Sequence, residues 1–245
     1  MRADYGLDAP GVVRNLFIAA IAGLLVWLFL PAITIGHVRL LLGSAGLWIA
    51  IGCGFTGIWM VYASKIGKVR ERETLLDRVA WRGDEQVLDV GCGRGLLLVG
   101  AAKRLTSGKA TGIDIWQAED LSGNRAEATI ENARREGVAD RVKIETADMR
   151  KMPFPDATFD VIVSRAVIHN LYNADDRAKA VAEIARVLKP GGRALIDDIR
   201  HGREYRKTFE ANGCKVTEVG SLAVSLFWML LTFGSLRPTM LVVNR

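Results

Sequence analysis

Two uncharged stretches occupy most of the first 62 residues and constrain this chain more than anything else in it. Residues 16–33, LFIAAIAGLLVWLFLPAI, and residues 40–62, LLLGSAGLWIAIGCGFTGIWMVY, contain no charged side chain. At about 1.5 Å per residue the second run spans the roughly 30 Å of a bilayer's hydrocarbon, and the first does so with its flanks. Only TIGHVR separates them, so they predict a helical hairpin, about 12–33 and 40–62, with both ends on one side. A single cleavable signal peptide explains neither the second run nor the position of the first. The competing reading is a buried hairpin inside a soluble protein.

The second run is rich in small residues: Gly43, Gly46, Gly52, Gly54 and Gly57. These let another helix approach closely, either the first run or a second copy of the chain, so a homodimer stays open. Lys65, Lys68, Arg70 and Arg72 follow the second run and outweigh Arg39 in the connecting loop. The positive-inside rule then places both termini and all later residues in the cytoplasm. The expected organisation is a membrane anchor over 1–64 and a cytoplasmic domain over 65–245, making an integral membrane protein.

The net charge of +6 does not predict a nucleic-acid partner, because the basic residues form no aromatic-interleaved patch. Cys53, Cys92 and Cys214 are scattered and form no CxxC pair, which suits a reducing compartment. No His, Cys and carboxylate residues share metal-site spacing, so no metal is expected.

From Lys65 onward, helical and strand patterns alternate. QVLDVG, KATGIDI, VKIETAD, FDVIVSR and GRALIDDI read as strands, separated by helices such as LLLVGAAKRL and RAKAVAEIARVL. This alternation predicts an α/β fold with a parallel sheet covered on both faces. In VLDVGCGRG, Gly91, Gly93 and Gly95 follow a strand and open a helix, where they permit a tight turn and close approach of a ligand to the backbone. Asp89 precedes them, placed to accept from an ammonium group or to hold the loop through water. Asp114 closes the next strand, where a carboxylate can take both ribose hydroxyls, and Asp148 ends the third, where it can accept from an adenine amino group.

Together, VLDVGCGRG, GIDI, TADMRKMPFPDATFDVIVSRAVIHNL and EIARVLKPGGRALIDDI resemble the class I S-adenosylmethionine-dependent methyltransferases, particularly their small-molecule and quinone-type branch. The resemblance covers about residues 72–245. It implies a Rossmann-like seven-stranded sheet of order 3-2-1-4-5-7-6 with the last strand antiparallel. It implies S-adenosylmethionine as cofactor and S-adenosylhomocysteine as product. Gly91, Gly93 and Gly95 would face the methionine part, with Asp89 near its amino end. Asp114 would bind the ribose, Asp148 and Met149 would frame the adenine, and Ser164 and Arg165 would lie near the sulfonium. Trp116 either stacks on the cofactor or merely covers apolar surface. An NAD-binding domain would instead show GxGxxG and a hydride-transfer apparatus.

Methyl transfer needs alignment and exclusion of water, and an oxygen or nitrogen acceptor also needs a base. His169, just beyond the fourth strand, is the leading candidate, followed by Asp198 and His201 after the fifth. Asn170 and Tyr172 are candidates for the pocket wall, and Cys92 reads as packing. The apolar segment 221–236, containing Phe227 and Trp228, must connect the last two strands at the mouth of the site. It reads as an interfacial insert dipping into the bilayer, or as a lid, with Phe227 and Trp228 lining the substrate pocket. These features predict methyl transfer to a small lipophilic acceptor at the cytoplasmic membrane face. A membrane-associated protein methyltransferase and a non-catalytic cofactor-binding scaffold are the alternatives.

Overall fold

A computed structural model describes residues 3–30, 32–35, 38–117, 119–220, 229–230 and 236–245. The insert's Phe227 and Trp228 lie outside the described residues, so both readings of 221–236 stand as expectations. The chain forms two compact units. One comprises Asp4–Arg70 with Gln117–Asn124, the other Glu71–Trp116 with Arg125–Arg245. The division therefore falls after Arg70 rather than before Lys65, and it assigns an internal loop to the N-terminal unit.

In the N-terminal unit, helix α1 (Pro10–Phe29) starts on a proline, whose missing N–H costs nothing at a first turn. It ends sooner than residue 33 because Leu30, which precedes Pro31, leaves the helical region at φ −128° and ψ 58°. Strands β1 (Ile33–Ile35) and β2 (Val38–Leu40) pair antiparallel where the sequence suggested a plain loop. Helix α2 (Leu42–Tyr62) continues through a π turn (Ala63–Gly67) into α3 (Lys68–Leu76). The runs Pro10–Phe29 and Leu42–Leu76 are long and apolar enough to cross a membrane, by length and composition. Trp48, Phe55 and Ile58 are exposed on α2.

The glycines explain how α1 and α2 pack. A Cβ on Gly46 would stand 2.6 Å from the Gly23 carbonyl oxygen, and one on Gly23 would stand 2.6 Å from that of Gly46. Gly57 receives the Phe17 ring, which would lie 3.1 Å from an added Cβ. Gly52, by contrast, has nothing within 4 Å of that position.

The N-terminal tail is tied down in the same unit. Leu7 and Ser122 exchange hydrogen bonds, Leu7 N–H to Ser122 Oγ at 2.8 Å and Ser122 N–H to the Leu7 carbonyl at 3.1 Å. Ala9 N–H donates to the Asp120 carbonyl at 3.0 Å. Buried Lys68 donates to the Tyr5 carbonyl at 2.8 Å and to Asp8 Oδ1 at 2.9 Å.

The second unit is built on seven strands: β3 (Gln86–Val90), β4 (Lys109–Asp114), β5 (Val142–Thr146), β6 (Phe159–Arg165), β7 (Leu188–Asp198), β8 (Lys215–Val219) and β9 (Thr239–Asn244). Their order is β5-β4-β3-β6-β7-β9-β8, with β9 antiparallel to both neighbours. Counted within this sheet, that is the expected 3-2-1-4-5-7-6. The helices are α4 (Leu96–Ala102), α5 (Ala126–Arg135), α6 (Ala174–Val187) and α7 (Gly202–Ala211). Apolar side chains alternate between the sheet's two faces. Leu88, Ile162 and Ile196 join Ile184 and Phe209 in one core. Val87, Val163 and Leu195 join Leu76 and Leu98 in the other. Asn173 caps α6 by accepting the Asp176 N–H at 2.7 Å.

Helix packing this close tolerates no added side chain at its crossing point. Gly46→Val should therefore lower the thermal stability of the detergent-solubilised protein, at a cost of about 1–3 kcal/mol for overpacking, while Gly52→Val should leave it nearly unchanged. Equal melting temperatures for the two variants would contradict this crossing.

Candidate functional site

The glycine loop follows from the ends of three adjacent strands. Val90 pairs with Ile113 on one side and Ser164 on the other, so β3 ends between β4 and β6. The chain then turns sharply: Gly91 N–H and Cys92 N–H both donate to the Ile113 carbonyl, at 2.9 and 3.0 Å. Gly91 adopts φ 71°, and a Cβ there would sit 2.4 Å from Val167 Cγ2. Gly95, at φ 83°, begins α4, and its Cβ would sit 2.8 Å from Thr129 Cγ2. Only glycine satisfies both the backbone angle and the space at these two positions. Helix α5 fixes the loop from a third side, Thr129 Oγ1 donating to the Gly93 carbonyl at 2.6 Å and Asn132 Nδ2 to that of Arg94 at 2.9 Å.

Asp114 links the loop to β4. Its Oδ2 accepts the Gly93 N–H at 2.8 Å and its Oδ1 the Trp116 N–H at 2.6 Å. Trp116 has φ 62°, packs partly against the core, and donates from Nε1 to Thr146 Oγ1 at 2.8 Å. It thus covers apolar surface while standing two residues from Asp114. Asp89 is buried beneath the loop, where its Oδ2 accepts the Leu98 N–H at 2.8 Å. It thus secures the first turn of α4, directly after the loop. Burial pushes its carboxyl up to about 8, with the Asp114 charge adding to the shift and the Leu98 bond opposing it. Cys92 is buried with its thiol pushed up by burial, and its Sγ would be 2.8 Å from a Cβ on Gly112. That is the packing role expected.

Three expected cofactor contacts are engaged elsewhere. Asp148 is gripped by Arg150, whose Nε donates to both carboxylate oxygens at 3.0 Å and whose Nη2 donates to Oδ2 at 2.6 Å. That guanidinium holds the Asp148 carboxyl below its usual range, and its Nη1 reaches Asp176 Oδ2 at 2.7 Å. Ser164 is buried in the sheet, its hydroxyl donating to the Val90 carbonyl at 3.1 Å, so it ties β6 to β3. Arg165 donates to Asp197 Oδ2 at 3.1 Å and also pairs with Glu71 on α3. Met149 packs, half-buried, against the main core.

The strongest polar cluster lies where β7 ends. His169 is in a short 3-10 turn (Ile168–Asn170), two residues after the Val167 side chain that crowds Gly91. Its Nδ1 is 2.5 Å from Asp198 Oδ1, and its main-chain N–H donates to Asp198 Oδ2 at 3.1 Å. Asp198 is 2 % exposed and also accepts Ile199 N–H at 2.8 Å and the Tyr205 hydroxyl at 3.2 Å. With Nδ1–H donating to this carboxylate, Nε2 carries the lone pair. His201 does not join the cluster: it caps α7 at φ 62° and turns its Nδ1 to Glu204 Oε1 at 2.9 Å. Tyr172, expected in a pocket wall, is fully exposed, since the Leu171 and Tyr172 carbonyls are drawn inward by Arg177 instead. Asn170 is half-buried beside His169.

Tyr205, Arg177, Arg150 and Glu71 were missed as site residues. Tyr205 and Phe209 read in the sequence as an apolar i, i+4 pair, which they are; only the register of β7 brings the hydroxyl to Asp198. Among the described residues, no group of His, Cys, Asp and Glu could hold a metal ion.

The buried Asp89 makes a pH prediction. Its folded-state value near 8 exceeds that of an unfolded aspartate, so its contribution to stability is complete in acid and is lost as pH rises from about 4 to about 8. Thermal melts of cofactor-free protein should show Asp89→Asn gaining on the wild type across that window. A stability difference independent of pH would show that Asp89 is not protonated in the fold.

The loop fits a nucleoside cofactor: a backbone cradle that a Cβ would fill, with carboxylates at two adjoining strand ends. Comparison with known proteins agrees. Residues 88–196 match the family model described as a methyltransferase domain. The sterol 4-C-methyltransferase strm-1 of Caenorhabditis elegans is 38 % identical over 120 residues, covering 49 % of this chain and 33 % of that protein. The 27-O-demethylrifamycin SV methyltransferase of Amycolatopsis mediterranei is 33 % identical over 156 residues, covering 62 % and 53 %. The chain thus spans a third to about half of these relatives' length. Geranyl diphosphate C-methyltransferase from Streptomyces coelicolor, solved with S-adenosyl-L-homocysteine, shares the fold at a TM-score of 0.59 and 19 % identity, covering 77 % of this chain and 83 % of that one. Residues 88–196 thus match a methyltransferase domain, and the seven-stranded sheet shares the fold of such enzymes.

Proposed function

We propose that the protein transfers a methyl group from S-adenosylmethionine to a hydroxyl-bearing, lipophilic small molecule at the cytoplasmic face of a membrane. The observation that carries this reading is the His169–Asp198 pair, held at 2.5 Å on the turn whose Val167 packs against the glycine loop. A thiolate acceptor has no need of such a pair, whereas an oxygen acceptor does.

In this reading Gly91, Gly93 and Gly95 present backbone to the methionine part of the cofactor. Asp114 takes the ribose, and Trp116 and Met149 flank the adenine. Asp148 meets the adenine amino group after exchanging part of its contact with Arg150. Asp89, beneath the loop and protonated in the free protein, would give up its proton as the cofactor's ammonium arrives and then favour that ammonium through its charge. The bound cofactor supplies an electrophilic methyl on a sulfonium. His169 Nε2 would accept the hydroxyl proton of the acceptor whose oxygen takes the methyl group, and the sulfonium that supplies the methyl would leave as a neutral thioether. Asp198 stabilises the imidazolium that results. Arg165, paired with Glu71 and Asp197, sets one guanidinium against two carboxylates, a combination that would not attract an anionic acceptor.

The lipophilic part of the reading rests on the two helices of membrane-crossing length and on the apolar segment before β9. One relative, a sterol methyltransferase, is in keeping with a lipophilic acceptor, and another, a 27-O-demethylrifamycin methyltransferase, with methylation on oxygen.

The test uses full-length protein in detergent, methyl-labelled S-adenosylmethionine and a total membrane extract, with products partitioned into organic, aqueous and protein fractions. Label should enter the organic fraction, and His169→Ala should slow its appearance by about 10²–10⁴-fold while leaving cofactor affinity intact. Label confined to the aqueous fraction would overturn the lipophilic acceptor, and label in protein would establish the protein-methylating alternative. Binding of the cofactor without label in any fraction would favour a non-catalytic scaffold.

A further inference from the structure

Among the described residues, four donors meet the buried Asp198 carboxylate, two on each oxygen. Oδ1 faces His169 Nδ1 at 2.5 Å and the Ile199 N–H at 2.8 Å. Oδ2 faces the His169 N–H at 3.1 Å and the Tyr205 hydroxyl at 3.2 Å. Three of the four come from the main chain or from His169 itself, and Tyr205 supplies the remaining one. The terminal torsion of an aspartate is broad and nearly two-fold, so the carboxylate plane is set by its partners. Without the Tyr205 hydroxyl, Oδ2 keeps one donor and the plane is free to turn away from the imidazole.

Tyr205 is itself rigid. It is 1 % exposed in the second turn of α7, on the same side as the fully buried Phe209. The start of α7 is pressed onto β9, where a Cβ on Gly202 would lie 2.6 Å from Thr239 Cγ2. A second strut runs parallel to the first. Arg177, on α6, donates from Nη2 to Glu204 Oε2 at 2.8 Å and from Nη1 to the Leu171 carbonyl at 2.9 Å and the Tyr172 carbonyl at 3.0 Å. The turn carrying His169 is therefore fixed to α7 at both ends, once through Asp198 and once through Arg177.

We infer that Tyr205 is a positioning residue: its hydroxyl orients Asp198 so that His169 keeps its proton on Nδ1 and presents Nε2 as the acceptor. The phenol can serve only as a donor here, because burial and the Asp198 charge push its own ionisation far upward. A tyrosine buried merely for its ring would need any nearby acceptor; this one completes the pairing of a carboxylate that already holds the imidazole. The inference deepens the proposed function, on which its catalytic consequence rests, but the tautomer of His169 is measurable without turnover.

The chain has three histidines, so ¹⁵N-histidine labelling of the full-length protein in detergent micelles gives a spectrum of three rings, with His169 assigned by its loss in His169→Gln. At mildly alkaline pH the wild-type ring should show one protonated nitrogen, Nδ1, and one unprotonated nitrogen, Nε2. In Tyr205→Phe, which keeps the buried ring, the two resonances should move toward each other as the tautomers mix. Asp198→Asn should move them at least as far. Incorporation of 3-fluorotyrosine, which strengthens hydroxyl donation, gives a second perturbation that preserves the fold and should shift Nδ1. With a turnover assay, Tyr205→Phe should lower kcat by about tenfold at unchanged KM for the cofactor.

The inference is overturned if Asp198→Asn moves the His169 resonances while Tyr205→Phe and fluorotyrosine leave them in place. It is equally overturned if the wild-type ring already exchanges between tautomers. Failure to transfer methyl groups, with the single tautomer and its Tyr205 dependence intact, would instead count against the proposed function alone.

Discussion

The site depends on one carboxylate that belongs to two places at once. Asp114 ends β4, yet its oxygens hold the N–H groups of Gly93, in the loop after β3, and of Trp116, at the start of the next segment. A loop of left-handed glycines has high conformational entropy and no side chains with which to pin itself. Here the Ile113 carbonyl, Asp114, Thr129 and Asn132 supply the pins from outside, and Asp89 secures the first turn of α4 from below. The cradle is thus largely organised before any ligand arrives, which lowers the ordering cost of binding.

The His169–Asp198 pair is arranged by a similar economy of strand ends. Asp198 ends β7, and His169 follows β6, the neighbouring strand. Parallel pairing brings both to the edge where β3 releases the glycine loop. Val167 bridges the two halves by occupying the space that Gly91 leaves empty. The glycine loop and the His169–Asp198 pair are therefore built on the same sheet edge, and Val167, which packs between them, is apolar and replaceable by a smaller side chain only at the cost of a void.

Much of this was legible in the sequence, because hydrophobic alternation and glycine spacing report backbone requirements directly. The alternation of strands and helices, the turn at Gly91–Gly95 and the packing role of Cys92 follow from such local signals, whereas the seven-stranded order is what the resemblance to the methyltransferases implies. What escaped was pairwise. That Arg150 grips Asp148, that Ser164 faces inward, that His201 turns to Glu204 and that Tyr172 points to solvent depend on rotamers and on neighbours far along the chain. The glycines of the second run license close packing in general, and the structure uses Gly46 against Gly23 and Gly57 against the Phe17 ring. The hydrogen bonds of Asp120 and Ser122 to Ala9 and Leu7 assign Gln117–Asn124 to the N-terminal unit, a pairing across more than 100 residues that no local pattern encodes.

The most direct measurement is equilibrium binding of S-adenosylhomocysteine to the full-length protein in detergent, by calorimetry, for the wild type and Asp114→Ala. The wild type should bind one equivalent. The variant should bind on the order of a hundredfold more weakly, since it loses charge-assisted hydrogen bonds to ribose worth about 1.5–3 kcal/mol each and loosens the loop as well. Equal affinities would contradict the central role given to Asp114, and absence of wild-type binding would contradict the cofactor site itself.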